Sequence, residues 1–313
     1  MSSAGARIAI TASGVSRHFG ELAAVSGVDL SIARGEIFGL VGPDGAGKTT
    51  LMRMLAGVLR PDAGSITLDG IDVLADPEAV KPRLSYMPQR FGLYEDLTVA
   101  ENIFFYAELF GGAPAERRAR TAELLEAAGM APFRRRLAGQ LSGGMKQKLG
   151  LVCALIHQPS VLLLDEPTTG VDPVSRRDFW AILYNLRESG VTIMFSTAYM
   201  DEAERCSRLA LMHAGKVRLC DTPARLKQAM PGVLLAVSAP DPRAVRAALA
   251  EAPGVLGVLL KGDHVNLRAD STARAGEFAA ILGARGIAYT AITPEAPGIE
   301  DVFVALTGAQ AAS

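Results

Sequence analysis

Apolar positions along the chain follow two periods. Ile8 to Val15 and Val25 to Ile32 alternate like half-buried strands, with a turn at Phe19-Gly20-Glu21 between them. Glu36 to Val41 is a nearly continuous apolar run that ends in a glycine-rich loop, and a helix follows from Lys48 to about Gly57. Short strand patterns recur at Ser65 to Leu68 and Leu84 to Met87. From Leu97 to Ile156 the apolar residues take helical spacing, with charges such as Glu116, Arg117, Arg118 and Glu123 between them. Alternation then resumes: strand Val161 to Leu164, helix Val174 to Glu188, strand Thr192 to Ser196, helix Met200 to Ser207, strand Leu209 to His213. Strand and helix in turn predict a largely parallel sheet covered by helices, with the long helical stretch as an insertion.

Pro231-Gly232 breaks the pattern. Beyond it the reading is strand Val233 to Ser238, helix Pro242 to Glu251, strands Val255 to Leu260 and His264 to Arg268, helix Thr272 to Arg285, strand Ile287 to Ile292 and a closing helix Ile299 to Leu306. That βαββαβ order predicts a small α+β unit of ferredoxin-like topology. A length of 313 residues agrees with two domains, expected at 1–230 and 231–313.

Composition narrows the classes. Apolar residues make up 49%, which excludes disorder, and 32 Lys+Arg against 33 Asp+Glu exclude a broad basic surface built for nucleic acid. Three cysteines without C-x-x-C spacing argue against a disulfide framework or a zinc site and suit a reducing cytoplasm. Met1 to Arg7 holds no apolar signal core, and no run approaches the roughly 18 apolar residues of a membrane span. Mean hydropathy is nonetheless +0.23, an excess of apolar character for a chain with no such span.

Three motifs carry chemistry. Gly42-Pro43-Asp44-Gly45-Ala46-Gly47-Lys48-Thr49 follows a strand and opens a helix. Glycines there let the backbone wrap a polyphosphate, free N–H groups meet the anion, Lys48 reaches the terminal phosphates, and the Thr49 hydroxyl can serve Mg²⁺, with Thr50 beside it. The strand Val161-Leu162-Leu163-Leu164 ends in Asp165-Glu166, at the edge where open α/β sheets bind nucleotides. There Asp165 can support Mg²⁺ and Glu166 can polarise an attacking water, although an acidic turn alone would look the same. Leu141-Ser142-Gly143-Gly144 before an apolar helix is a second anion nest or a capped helix start.

In this order, with Gln89 between the first motif and Ser142, the chain resembles the ATP-binding cassette ATPases, the nucleotide-binding subunits of ABC transporters. The resemblance covers Ile8 to Leu226. It implies a P-loop NTPase (RecA-like) α/β cassette with a helical subdomain at about residues 91–157, and ATP and Mg²⁺ as ligands. It also implies a head-to-tail pair in which each ATP lies between one chain's phosphate loop and the other's Ser142, Gly143 and Gly144. By position, Phe19 looks like the adenine-stacking aromatic, with a core Phe as the plain reading. Gln89 looks like the loop glutamine that contacts Mg²⁺ and water and links to the membrane partner, and Asp172 looks like the interface aspartate, otherwise a helix cap. Glu166, Gln89 and Lys48 are the expected catalytic set; Thr49, Gln89 and Asp165 are the metal set.

One departure stands out. Aligned on Asp201-Glu202-Ala203, Ala198 occupies the family's switch-histidine position, and His18, His157, His213 and His264 lie elsewhere. Loss of such a positioned polar group costs orders of magnitude in rate. The chain therefore reads as a degenerate cassette that binds ATP, hydrolyses it slowly and lends its Ser-Gly-Gly to a competent partner. Hydrolysis on Glu166 alone in a homodimer is the alternative. Asp44 in place of Asn and Met145 in place of Gln are milder changes.

Phe91 to Thr98 and Tyr199 to Cys206 resemble segments of exporter-type cassettes, and Ile299 to Gly308 resembles the C-terminal tail of ABC-2 type exporter subunits, multidrug-efflux members included. The implied partners are an ABC-2 type transmembrane permease and a second cassette, in a homodimer or a heterodimer, with no nucleic acid. The implied location is cytoplasmic, peripheral on the inner face of the plasma membrane through the permease. A soluble ABC ATPase of translation or repair and an ATP-sensing regulatory subunit are the competing readings. The C-terminal unit carries no ligand signature and reads as an accessory or dimerisation module.

Overall fold

The computed structural model describes residues 7–111 and 113–307. Residues 1–6 of the N-terminal segment, and Gly308 of the C-terminal one, lie outside the described residues. The chain divides into two compact units, Met1–Cys220 and Asp221–Ser313.

In the first unit β1 (Ile8–Phe19) and β2 (Leu22–Ala33) form a long antiparallel hairpin turned at Gly20. β3 (Ile37–Val41) is buried on both faces, as a central parallel strand requires, and feeds α1 (Lys48–Leu55). β4 (Ala63–Leu68) and β5 (Ile71–Asp72) complete a four-stranded sheet of order β2-β1-β4-β5. After α2 (Pro77–Val80) comes β6 (Leu84–Met87). The helical stretch resolves into α3 (Val99–Phe110), α4 (Pro114–Ala127) and α5 (Gly143–Leu155). A Thr98–Glu101 capping box starts α3 and Gly111 ends it, so the predicted run is three helices.

β7 (Val161–Asp165), α6 (Pro173–Glu188), β8 (Thr192–Thr197), α7 (Met200–Ala203), β9 (Arg208–His213) and β10 (Lys216–Asp221) follow. The central sheet has the order β10-β9-β3-β8-β7-β6. β3 runs parallel to β8 and β9, and β7 runs parallel to β6 and β8. One core fills the space around α1: Val25 and Ile66 come from the antiparallel sheet, Phe38, Leu163 and Met194 from the parallel one, and Leu51 and Met52 from α1 itself. α7 is shorter than the predicted Met200 to Ser207 because the Ser207 N–H already donates to the Ile37 carbonyl at 2.8 Å, which draws the chain into β9. β10 escaped the sequence reading because its residues alternate only between exposed and half-buried.

The second unit contains α8 (Pro223–Gln228), β11 (Val233–Ser238), α9 (Pro242–Leu249), β12 (Val255–Lys261), β13 (His264–Ala269), α10 (Ala275–Ala284), β14 (Ala291–Glu295) and α11 (Ile299–Thr307). Its sheet, β12-β13-β11-β14, is antiparallel throughout and has the expected βαββαβ connectivity. Val245 and Leu249 of α9 and Phe278 and Leu282 of α10 pack with Leu235, Val265 and Leu267. The division falls at Cys220/Asp221, before the Pro231 boundary read from sequence, because α8 packs against α11. The last strand begins later than Ile287, whose N–H instead closes the turn after α10 on the Leu282 carbonyl. No helix among the described residues is long and apolar enough to cross a membrane.

Candidate nucleotide site

The loop after β3 is shaped by two glycines that tolerate no side chain. A Cβ on Gly42 would lie 2.2 Å from the Met212 carbonyl oxygen, and one on Gly47 would lie 2.2 Å from that of Ala24. Gly47 also has φ 102°, which L side chains avoid, and it caps α1. Lys48 begins the helix and is buried. Its Nζ donates to the carbonyls of Gly42 (2.8 Å) and Pro43 (3.0 Å) and pairs with Glu166 Oε1 at 2.9 Å. All three ammonium protons are thereby engaged.

The end of β7 supplies the carboxylates. Asp165 is buried and accepts three hydrogen bonds: Ser196 Oγ (2.7 Å) and Thr49 Oγ1 (3.1 Å) on Oδ1, and the Tyr86 hydroxyl (3.1 Å) on Oδ2. Burial, and then the charge of Asp165, push the Tyr86 hydroxyl up to about 12, so it remains a donor at neutral pH. Glu166 takes a left-handed φ of 48°, and its N–H donates to Ser196 Oγ at 3.0 Å. A non-glycine residue in that region is an observed strain of the kind that gathers at functional sites. Its second carboxylate oxygen, Oε2, accepts from Gln89 Nε2 (3.1 Å) and Thr169 Oγ1 (3.4 Å).

These groups open on a cleft of about 780 Å³ lined by Phe19, the loop Asp44 to Thr50, Gln89, Glu166, Thr169, Ala198 and Tyr199. Phe19 is 49% exposed at its edge with the Arg17 guanidinium 5.2 Å from its ring, so it is not a core residue. Asp44 is exposed. Gly42 and Asp165 support the cleft without lining it. Ser142, Gly143 and Gly144 do not line it either. Ser142 caps α5 by accepting from the Met145 N–H at 3.3 Å, Gly143 is exposed, and Gly144 packs on Ser175. Asp172 caps α6 through the N–H groups of Val174 and Ser175, the latter bond holding its carboxyl below the usual range.

The donor chemistry fits a hard cation. The Thr49 hydroxyl and the Asp165 carboxylate lie 3.1 Å apart, and no cluster of three or more His, Cys, Asp or Glu exists among the described residues. One carboxylate and one hydroxyl are what Mg²⁺ takes when phosphate oxygens and water complete its sphere. Gln89, also expected in the metal set, donates its Nε2 to Glu166 Oε2 at 3.1 Å.

Ala198 follows β8 and lines the cleft with only a methyl group. The polar groups nearby point elsewhere. Thr197 Oγ1 (2.7 Å), Thr168 Oγ1 (3.0 Å) and Trp180 Nε1 (3.3 Å) all donate to buried Glu202. Tyr199 lines the cleft under Arg176, 4.8 Å above its ring. None of the four histidines is among the lining residues.

The sequence reading missed Tyr86, Ser196, Thr169 and Tyr199. Tyr86 and Ser196 lie on strands it recognised, but only the parallel pairings of β6 and β8 with β7 bring them to Asp165.

Residues 25–169 match the family model described as ABC transporter. The chain is 44% identical over 304 residues to the probable multidrug ABC transporter ATP-binding protein YbhF of Escherichia coli K12, covering 96% of this chain. It spans 52% of that relative, about half its length. It is 36% identical to the daunorubicin resistance ATP-binding protein DrrA3 of Streptomyces coeruleorubidus, with 96% of each chain covered. Among solved structures it superposes on MJ0796, a bacterial ABC transporter cassette determined as a dimer, at TM-score 0.63 and 27% identity, covering 68% of this chain and 98% of that one.

Proposed function

We propose the following for this chain, which belongs to the ABC transporter ATP-binding proteins: it binds ATP in the cleft above β3 and β7 and energises export through a separate ABC-2 type permease. The observation that carries the reading is one continuous set of contacts, Thr49–Asp165 and Lys48–Glu166–Gln89, at the foot of a cleft edged by Phe19.

Phe19 stacks on the base. The loop N–H groups from Asp44 to Thr50 and Lys48 take the phosphates. Thr49 and Asp165 would hold Mg²⁺, which neutralises phosphate charge when bound. Lys48 must leave the Gly42 and Pro43 carbonyls and Glu166 to reach a phosphate. Glu166, so released and still positioned by Gln89, accepts a hydrogen bond from the attacking water. The exposed Ser142 and Gly143 serve the nucleotide of a second cassette, which offers its own nest in return. The exposed side chains of Phe104, Leu109 and Phe110 on α3 form a surface for the permease. In this reading the chain sits at the inner face of the plasma membrane through that permease.

At Ala198 no side chain can hold the terminal phosphate or the water, so this half-site turns over slowly and the partner of choice is a cassette that retains the histidine. ATP binding and single-turnover hydrolysis, measured separately, test both parts. Binding is expected in the parent, with a hydrolysis rate that Ala198→His raises by about 10²-fold. A chain that fails to bind ATP removes the function; fast turnover with no gain from Ala198→His removes the degenerate site.

A further inference from the structure

We infer that Tyr86 is a positioning residue for the Asp165 carboxylate, setting its plane for the cation that accompanies the nucleotide; this rests on the nucleotide-binding reading above. Asp165 Oδ1 is held by Ser196 and Thr49, whereas Oδ2 is held by the Tyr86 hydroxyl and by no other donor among the described residues. Once the Thr49 hydroxyl turns to a cation, Ser196 and Tyr86 remain, one on each oxygen. Two anchors on different oxygens fix the carboxylate plane; one alone leaves it free to rotate about the Cβ–Cγ bond.

The phenol also feels the positive charge of Arg53 on α1, the helix that opens with Lys48 and Thr49, which opposes the upward push of burial on its hydroxyl. Its ring packs against the core cluster, so the hydroxyl alone reaches the site. Tyr86 lies on β6 immediately before Met87-Pro88-Gln89.

The test uses the full chain and a fluorescent ADP, titrated with Mg²⁺ and with EDTA. Tyr86→Phe is expected to leave affinity in EDTA unchanged and to reduce the tightening by Mg²⁺ about tenfold, the usual loss on removing an outer partner of a ligating group. A parent that tightens with Mg²⁺ and a Tyr86→Phe variant that tightens equally overturn the role of Tyr86 alone. A Tyr86→Phe variant weakened equally in EDTA and in Mg²⁺ indicates a general disturbance of the site and also overturns it. A parent whose nucleotide binding ignores Mg²⁺ overturns this inference together with the function on which it rests.

Discussion

At the scale of single residues, the Lys48–Glu166 pair has a stability consequence as well as a chemical one. Both side chains are nearly buried, 3% and 10% exposed, and truncating one partner of such a pair leaves an uncompensated charge at a cost of about 3–5 kcal/mol. Urea unfolding of the nucleotide-free chain is therefore expected to show Lys48→Met strongly destabilised. The double variant with Glu166→Gln should lose less than the two single losses combined, a coupling that additive losses would disprove. Glu166 is also a built-in rival of phosphate for Lys48. A weakly held single anion is expected not to displace it, whereas a polyphosphate gripped by several backbone N–H groups is expected to.

His157 gives the pH dependence. It stacks on Phe110 at 3.8 Å, its Nε2 meets the Leu84 carbonyl at 3.2 Å, and Arg117 and Arg120 line the same small cavity. Burial lowers its pKa below the ordinary 6.5. Below that pH the unfolded chain takes up a proton that the folded chain refuses, so this contribution is whole above pH 6.5 and shrinks as pH falls through and below it. A Tm series between pH 5 and 7.5 should slope less for His157→Gln than for the parent; equal slopes would remove the assignment. At this scale the sequence was most legible where the backbone dictates the residue, as in Gly42 to Thr49 and Asp165-Glu166. It was least legible for Tyr86 and Ser196, whose roles exist only through strand neighbours distant in sequence.

At the scale of elements, the legible pieces were those whose pattern and punctuation agree. β6 and β11 match their predicted limits, and α6 begins one residue before its predicted start, at a proline after the Asp172 cap. Single N–H groups overrode the pattern at α7, where Ser207 bonds to the distant Ile37 carbonyl, and before β14, where Ile287 closes a local turn on Leu282. The loop that leads into α1 depends on backbone shape more than on side chains. Gly47→Ala would place a methyl 2.2 Å from the Ala24 carbonyl at φ 102°. It is expected to cost more than about 1 kcal/mol in unfolding and to abolish nucleotide binding, measured by denaturation and by equilibrium titration. Unchanged binding would mean that the loop relaxes freely.

At the scale of the whole molecule, two cores make two units, and the excess apolar character noted in the composition finds a partial account in the exposed side chains of α3. The thiols report on the packing of the first unit. Cys153 and Cys206 are buried and their thiols are pushed up by burial, the latter to about 12, whereas Cys220 is exposed. A thiol reagent should modify Cys220 quickly in the folded chain and the other two only after denaturant, as read by mass spectrometry of the peptides. Rapid labelling of Cys153 would mean that the helical insert opens readily.

The placement of Ser142 and Gly143, exposed and away from their own cleft, bears on dose. In the proposed pair a nucleotide sealed on both sides needs two polypeptides to meet, so sealing obeys the law of mass action. For the free subunit dilution is then expected to unseal it even at saturating ATP, whereas two copies held on one permease would meet at a fixed local concentration.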